Sequence, residues 1–247
     1  MFGLISWIRR RRASRRPFPE TWRELLRAHV PFYVRLQPQA RARFENKLKT
    51  FVLTKHFFGA AGFVVDERAK VVIGAAAARL IVNMPDQHYA RLGDVVVYPS
   101  HYRHPDAGKT DVVLGEAHHH GTVVLSWDAV TAGLANPEDG HDTAAHEFAH
   151  VLDAADGSFD GTPVLRRFAA YAPWARVMSS HFLALRRKKG RGRPLLRPYA
   201  STNEAEFFAV ATEVFFEKPR QMKTKHPELY DALATYYGAP TEEDAGA

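Results

Sequence analysis

Thr143-Ala144-Ala145-His146-Glu147-Phe148-Ala149-His150-Val151-Leu152-Asp153 is the stretch on which the reading of this chain turns. It contains the pattern H-E-x-x-H. On an α-helix, positions four apart differ by about 40° in direction and about 6 Å in height, so His146 and His150 can both reach one metal ion. Glu147 lies about 60° around the helix from His150, placed to act on a water rather than to bind the metal. Zinc held by such a pair lowers the pKa of bound water towards about 7, where a neighbouring carboxylate can take the proton. The competing reading of these residues is a surface helix with an ionic stripe. Phe148, Val151 and Leu152 argue against it, because they bury the same helix. Asp142 or Thr143 caps its start, and Gly157 lies beyond its end.

A catalytic zinc commonly has three protein ligands and one open position. Two residues compete for the third place. Asp156 follows His150 at a spacing that some zinc proteases use, with a glycine between to turn the chain; here the turning position is Asp153 and Gly157 comes too late. Glu206 belongs to a later helix, expected over Glu204 to Glu217 and stopped before Pro219. Glu206 and Glu213 point within about 20° of each other, while Glu204 points about 160° away from Glu206. Both flank an apolar stripe of Phe207, Ala211, Val214 and Phe215, where an acid needs a cation or a donor. Glu206 is the better candidate, yet it has a second job open to it. With Asn203 as N-cap it completes a capping box.

Further out, Asp153 and Glu213 can orient a ligand imidazole, or serve as ordinary helix-end and surface acids. Tyr199 precedes the ligand helix in a loop. Its phenol can donate to an oxyanion, or simply pack. His118, His119 and His120 are consecutive and do not share a face, so they read as a solvated loop. Thr122 to Trp127 reads as a strand, either an edge that could hold an extended peptide or an interior one.

These residues carry a family resemblance. His146-Glu147-Phe148-Ala149-His150-Val151-Leu152-Asp153, with Tyr199-Ala200-x-x-Asn203-x-Ala205-Glu206-Phe207-Phe208-Ala209-Val210-Ala211, resembles the Mlc titration factor A family of bacterial zinc peptidases. Val95 to Pro99, Val124 to Asp128, and His226-Pro227-x-Leu229-Tyr230 extend the resemblance from Glu20 to Tyr237. The arginine-rich start and the acidic end stand outside that pattern. The resemblance implies a glutamate-zincin fold related to the catalytic domain of anthrax lethal factor. It implies His146, His150 and Glu206 as ligands of Zn2+, Glu147 as general base and Tyr199 as a catalytic tyrosine. It implies aminopeptidase-like action on a peptide substrate and, in some members, binding of a transcription repressor of sugar uptake.

Composition narrows the rest. In 247 residues, 46% are hydrophobic, enough for a sizeable core. There is no cysteine, so disulfides and thiolate metal sites are excluded, and a reducing cytoplasm is the expected location. The net charge of +7 is concentrated in Arg9 to Arg12, Arg15 and Arg16, while the remainder is nearly neutral. No specific nucleic-acid face is therefore expected on the body, although weak contact of the arginines with a membrane surface stays open. The apolar run Phe2 to Ile8 precedes the arginines, the reverse of a signal peptide, and is too short to span a bilayer.

Helical spacing is expected over residues 20–58 with breaks at Pro31 and Pro38, over Ala69 to Val82, Tyr171 to Lys188 and Pro227 to Tyr237. Strands are expected at Val95 to Tyr98, Val112 to Gly115 and Thr122 to Trp127, and a basic loop at Arg186 to Arg197. Helices, a small sheet, then helices predict an α+β, zincin-like fold. The expected organisation is a flexible basic arm over 1–19, one metallopeptidase domain over 20–237 and a flexible acidic tail over 238–247.

Overall fold

The computed structural model describes residues 2–103, 112–113, 115–118, 121–187 and 194–239. His119 and His120, residues 188–193 of the basic loop and residues 240–247 of the acidic tail lie outside the described residues.

The first half is a helical layer. Helices α1 (Phe2–Arg15), α2 (Glu20–His29), α3 (Pro31–Val34) and α4 (Pro38–Thr54) lead into strand β1 (His56–Gly59). Pro31 and Pro38 break the helical run as first residues of α3 and α4, where a missing N–H costs nothing. Helix α5 (Glu67–Ile81) starts on Asp66, whose carboxylate accepts from the Ala69 amide at 2.7 Å. Its Ala75 to Ala78 are fully buried, because α5 packs between α2 and α4 on one side and the later helices on the other. Trp22, Leu26, Phe44 and Leu48 form a second, smaller core against α5.

Strands follow as β2 (Asp94–Tyr98), β3 (Tyr102–Arg103), β4 (Val112–Val113), β5 (Gly115–His118) and β6 (Thr122–Ser126). The main sheet has the order β1-β2-β6-β5, with β1, β2 and β6 parallel and β5 antiparallel to β6. Val95, Val97, Val123 and Leu125 are fully buried, and they carry the sheet's face into the core. Helices α6 (Trp127–Ala135), α7 (Thr143–Asp153), α8 (Tyr171–Arg187), α9 (Glu204–Glu217), α10 (Pro219–Lys225) and α11 (Pro227–Tyr237) complete the chain. The architecture is α+β, mostly helical around one small mixed sheet. Among the described residues, no helix is long and apolar enough to cross a membrane.

Three expectations are corrected, and one open alternative is decided. The helical run does not reach residue 58: it stops at Thr54, and His56–Gly59 is drawn into β1 by pairing with Asp94–Val97. Trp127 is not the end of a strand but the start of α6, because Ser126 Oγ accepts from the Ala129 amide and turns the chain. The Thr122 strand is interior, flanked by β2 and β5, so the edge belongs to β5.

The basic start, expected as a flexible arm over 1–19, forms helix α1 over Phe2–Arg15. α1 packs on α4, Ala13 is buried, and the Lys49 ammonium donates to the Ser14 carbonyl at 2.9 Å and to that of Arg16. A cation at those carbonyls satisfies the open end of α1.

Candidate metal centre

Helix α7 carries the H-E-x-x-H residues into the interior. Asp142 caps it, accepting from the Ala145 amide at 3.0 Å, and His146, Glu147 and His150 are each buried. Phe148 faces the other way. Its ring sits 5.5 Å from Phe51 and 5.7 Å from Tyr89, which anchors the helix in the core. Gly157, at φ +102, ends the segment after a 3₁₀ turn.

Helix α9 crosses α7 and brings Glu206 opposite the histidines. Asn203 caps α9 by accepting from the Glu206 amide at 2.8 Å. Half of the capping box is thus formed, yet the Glu206 carboxylate turns to the imidazoles instead of back to the cap. Glycine at 161 makes this approach possible. Its φ is +78, its amide donates to Asp153 at 2.9 Å, and a Cβ there would lie 2.4 Å from the Glu204 carbonyl oxygen.

Three donor atoms converge. Glu206 Oε2 is 3.0 Å from His146 Nε2 and 3.5 Å from His150 Nε2, and the two Nε2 atoms are 3.2 Å apart. Bonds of about 2.0–2.1 Å at tetrahedral angles place donors about 3.3 Å from one another, so this triangle has the dimensions of three zinc ligands. Among the described residues, His146, His150 and Glu206 form the cluster able to hold a metal ion. Asp156 is not part of it. Its carboxylate accepts from the Ser158 amide and hydroxyl at 2.9 and 2.6 Å.

The surroundings fix His146 tightly. Its Nδ1 lies 2.7 Å from Glu213, which is fully buried and also accepts from the Asp142 amide at 2.9 Å. Arg197 grips the same carboxylate with two bonds, at 2.8 and 2.7 Å. Burial opposes a charge on His146, but Glu206 on one ring nitrogen and Glu213 on the other outweigh it and raise its pKa to about 10. Burial and the neighbouring His146 instead push His150 below its ordinary value. Burial would raise Glu206, yet hydrogen bonds from both imidazoles hold it well below the usual carboxylate range. A metal at the three donors would take the place of the proton that His146 carries between them.

Asp153 makes no hydrogen bond to His150. It accepts from Gly161, burial raises it to about 6, and the Nδ1 of His150 is buried without a hydrogen-bond partner. The Phe159 ring lies 4.8 Å from that of His150 and covers it.

Tyr199 sits in the 3₁₀ turn Pro198–Ser201, half exposed, with its ring 6.0 Å from that of His146. Partial burial and the Glu206 charge raise its hydroxyl to about 12, so it stays protonated at neutral pH. The Glu147 charge favours the protonated form of both Tyr199 and His146.

Two contributors carry no sequence signal. Arg197 lies in the basic loop, where a charge run reads as solvated. Arg79 of α5, its side chain 12% exposed, lies between the Phe32 and Phe216 rings, 4.6 and 5.3 Å away, and 3.7 Å from the capping Asp142.

Comparison with known proteins shows the family. An uncharacterized protein of Synechocystis sp. is 34% identical over 96% of this chain and 91% of its own length. Mlc titration factor A of Shigella dysenteriae serotype 1 is 22% identical over 95% of this chain and 91% of its own. The protein of that name in Salmonella paratyphi B is 24% identical over 84% and 82%. The family model described as glucose-regulated metallo-peptidase M90 matches residues 4–238, so the shared pattern reaches back into the arginine-rich start that the motifs alone left outside. The chain belongs to the glucose-regulated metallo-peptidase M90 family.

Proposed function

We propose that this chain is a zinc-dependent peptidase of zincin-like fold with aminopeptidase-like action, working in the cytoplasm. The observation that carries the reading is the convergence of two imidazole nitrogens and one carboxylate oxygen at 3.0–3.5 Å, beside a buried glutamate that is not one of the three. Among cysteine-free donor sets, two histidines and one carboxylate suit zinc, which supplies Lewis acidity to a water and to a peptide carbonyl.

The chain's own groups do the remainder. Glu147 takes the proton of the attacking water and returns it to the leaving amine. Tyr199, kept protonated, donates to the developing oxyanion from the open side. Glu213, held by Arg197, accepts the Nδ1 proton of His146 and so leaves Nε2 for the metal. Strand β5 lies against α7, and its edge away from β6 has no partner strand among the described residues, which suits an extended peptide.

A second reading comes from the relatives named Mlc titration factor A, whose name points to titration of a repressor. Sequestration needs no general base, so the two readings separate on Glu147. In Glu147→Gln, metal content by mass spectrometry should equal that of the wild type while peptide turnover is lost. Turnover near the wild-type rate in that variant would remove Glu147 from the mechanism. Binding of a sugar-uptake repressor that survives the loss of turnover would place the two activities on different surfaces.

A further inference from the structure

Helix α1 is docked, and the docking fixes which of its residues meet solvent. Ala13 is buried, α1 packs on α4, and the Lys49 ammonium holds the carbonyls at its end. Successive positions on a helix turn by about 100°. With Ala13 pointing inward, Trp7, Ile8, Arg11, Arg12 and Arg15 fall within an arc of about 140° centred opposite it. The exposures agree. Trp7 is 47% and Ile8 38% exposed, and all three arginines are exposed. The Arg11 guanidinium lies over the Trp7 ring, 5.0 Å from its centroid, so cation and apolar ring form one surface.

That surface differs from a solvated helix face in two ways. Solvated faces interleave both signs of charge, and α2 does so: Glu20 pairs with Arg23 at 2.8 Å and with Arg27 at 3.2 Å. Helix α1 has no acidic residue, and none occurs in the sequence before Glu20. The arginines also share their face with a tryptophan and an isoleucine, whose apolar surface is better placed out of water. Arginine with tryptophan and an aliphatic residue suits the boundary between lipid head groups and acyl chains. There the guanidinium groups meet phosphates and the apolar side chains sink past them. A nucleic acid would use the charge and leave the isoleucine in water.

We propose that the outer face of α1 is an interaction surface for an anionic lipid bilayer. Trp7 and Ile8 enter the interface, and Arg11, Arg12 and Arg15 pair with acidic head groups. Because α1 is packed on α4, the bilayer holds the body in one orientation and not on a loose tether.

Co-sedimentation of the full chain with vesicles tests the proposal, using phosphatidylcholine alone and phosphatidylcholine mixed in equal parts with phosphatidylglycerol. The variants are Arg11→Gln with Arg15→Gln, and Trp7→Gln with Ile8→Gln. The wild type should bind the mixed vesicles and leave pure phosphatidylcholine unbound. The arginine variant should weaken that binding by roughly 30-fold and the apolar variant by roughly tenfold. All four side chains are exposed, so urea midpoints should stay at the wild-type value. The proposal is overturned if the mixed vesicles do not bind, or if the arginine variant binds them as the wild type does. Wild-type binding by the apolar variant overturns it as well, since charge alone would then account for adsorption. A clearly lowered urea midpoint would show that these side chains pack inward, with the same consequence. A short single-stranded RNA that binds more tightly than the vesicles at equal salt, and ignores the apolar variant, would assign the face to nucleic acid instead.

Discussion

Replacing Glu213 by Gln perturbs one residue at the meeting point of α7, α9 and the Arg197 loop. The carboxylate accepts from His146, from Arg197 twice and from the Asp142 amide, at 2.7–2.9 Å, with no exposure to solvent. Glutamine keeps one acceptor oxygen and presents an NH2 group to donors. It also removes the counter-ion of Arg197, whose side chain is 27% exposed. Breaking a buried pair from one side costs about 3–5 kcal/mol, and partial exposure of Arg197 brings the expectation to the lower end, about 3 kcal/mol. The effect on metal is separate. His146 loses the acceptor that fixes its tautomer, which lowers metal affinity by about 10–100-fold. Urea unfolding of the metal-free protein measures the first, and competition with a chelator the second. A stability loss with metal affinity within twofold of the wild type would refute the orienting role and leave Glu213 a structural acid. Unchanged stability would refute the buried network itself.

Other perturbations have equally definite outcomes. Tyr199→Phe should keep metal and lose about 10²-fold in turnover, the scale of one oxyanion donor; unchanged turnover would mean that Tyr199 only packs. Glu217 is raised to about 7 by burial and by the Asp142 charge, against Arg79 and the Gly140 amide. The folded state therefore binds this proton more tightly than the unfolded chain. Its contribution is complete below about pH 4.5 and is lost as pH rises through about 7, up to about 3 kcal/mol. Glu217→Gln should lack that decline, and parallel stability profiles for variant and wild type over this window would contradict it. Deleting residues 1–16 should lower stability by about 1–3 kcal/mol, because the packing of α1 on α4 and the Lys49 bonds to its last carbonyls are lost, while hydrolysis of small peptides persists. Equal urea midpoints would show that α1 contributes nothing to the fold.

How much of this was legible from the residues differs by element. Periodic helices with caps could be read to the residue: α7 and α9 begin after Asp142 and Asn203, whose side chains bond the first turn. Local signals suffice where a helix is both capped and amphipathic. They fail at β1, because His56-Phe57-Phe58 continues the apolar run of α4 and only pairing with β2 makes it a strand. The interior place of β6 rests on β5 folding back against it, a non-local fact. In the site, His146, Glu147 and His150 could be read together from their spacing on one helix, whereas Glu206, on another helix, was singled out by its place beside an apolar stripe and by the resemblance. Arg197 could not, because its contact with Glu213 depends on a loop closing over α9. The helical state of the first residues was obscured by arginines that read as solvated charge, while the contact that docks them comes from Lys49, far along the chain.

The two halves of the donor set do not share the same permanence. His146 and His150 lie inside α7, whose Phe148 is locked among core aromatics. Glu206 rides on the first turn of α9, tethered by one side-chain bond from its own amide to Asn203. Helix ends open at lower free energy than helix middles. Brief fraying of that turn would swing the carboxylate away while both imidazoles stay fixed. The histidine pair would then be a standing element and Glu206 a latch, with the Asn203 cap, whose side chain bonds the Glu206 amide and none of the three donor atoms, favouring its closed position.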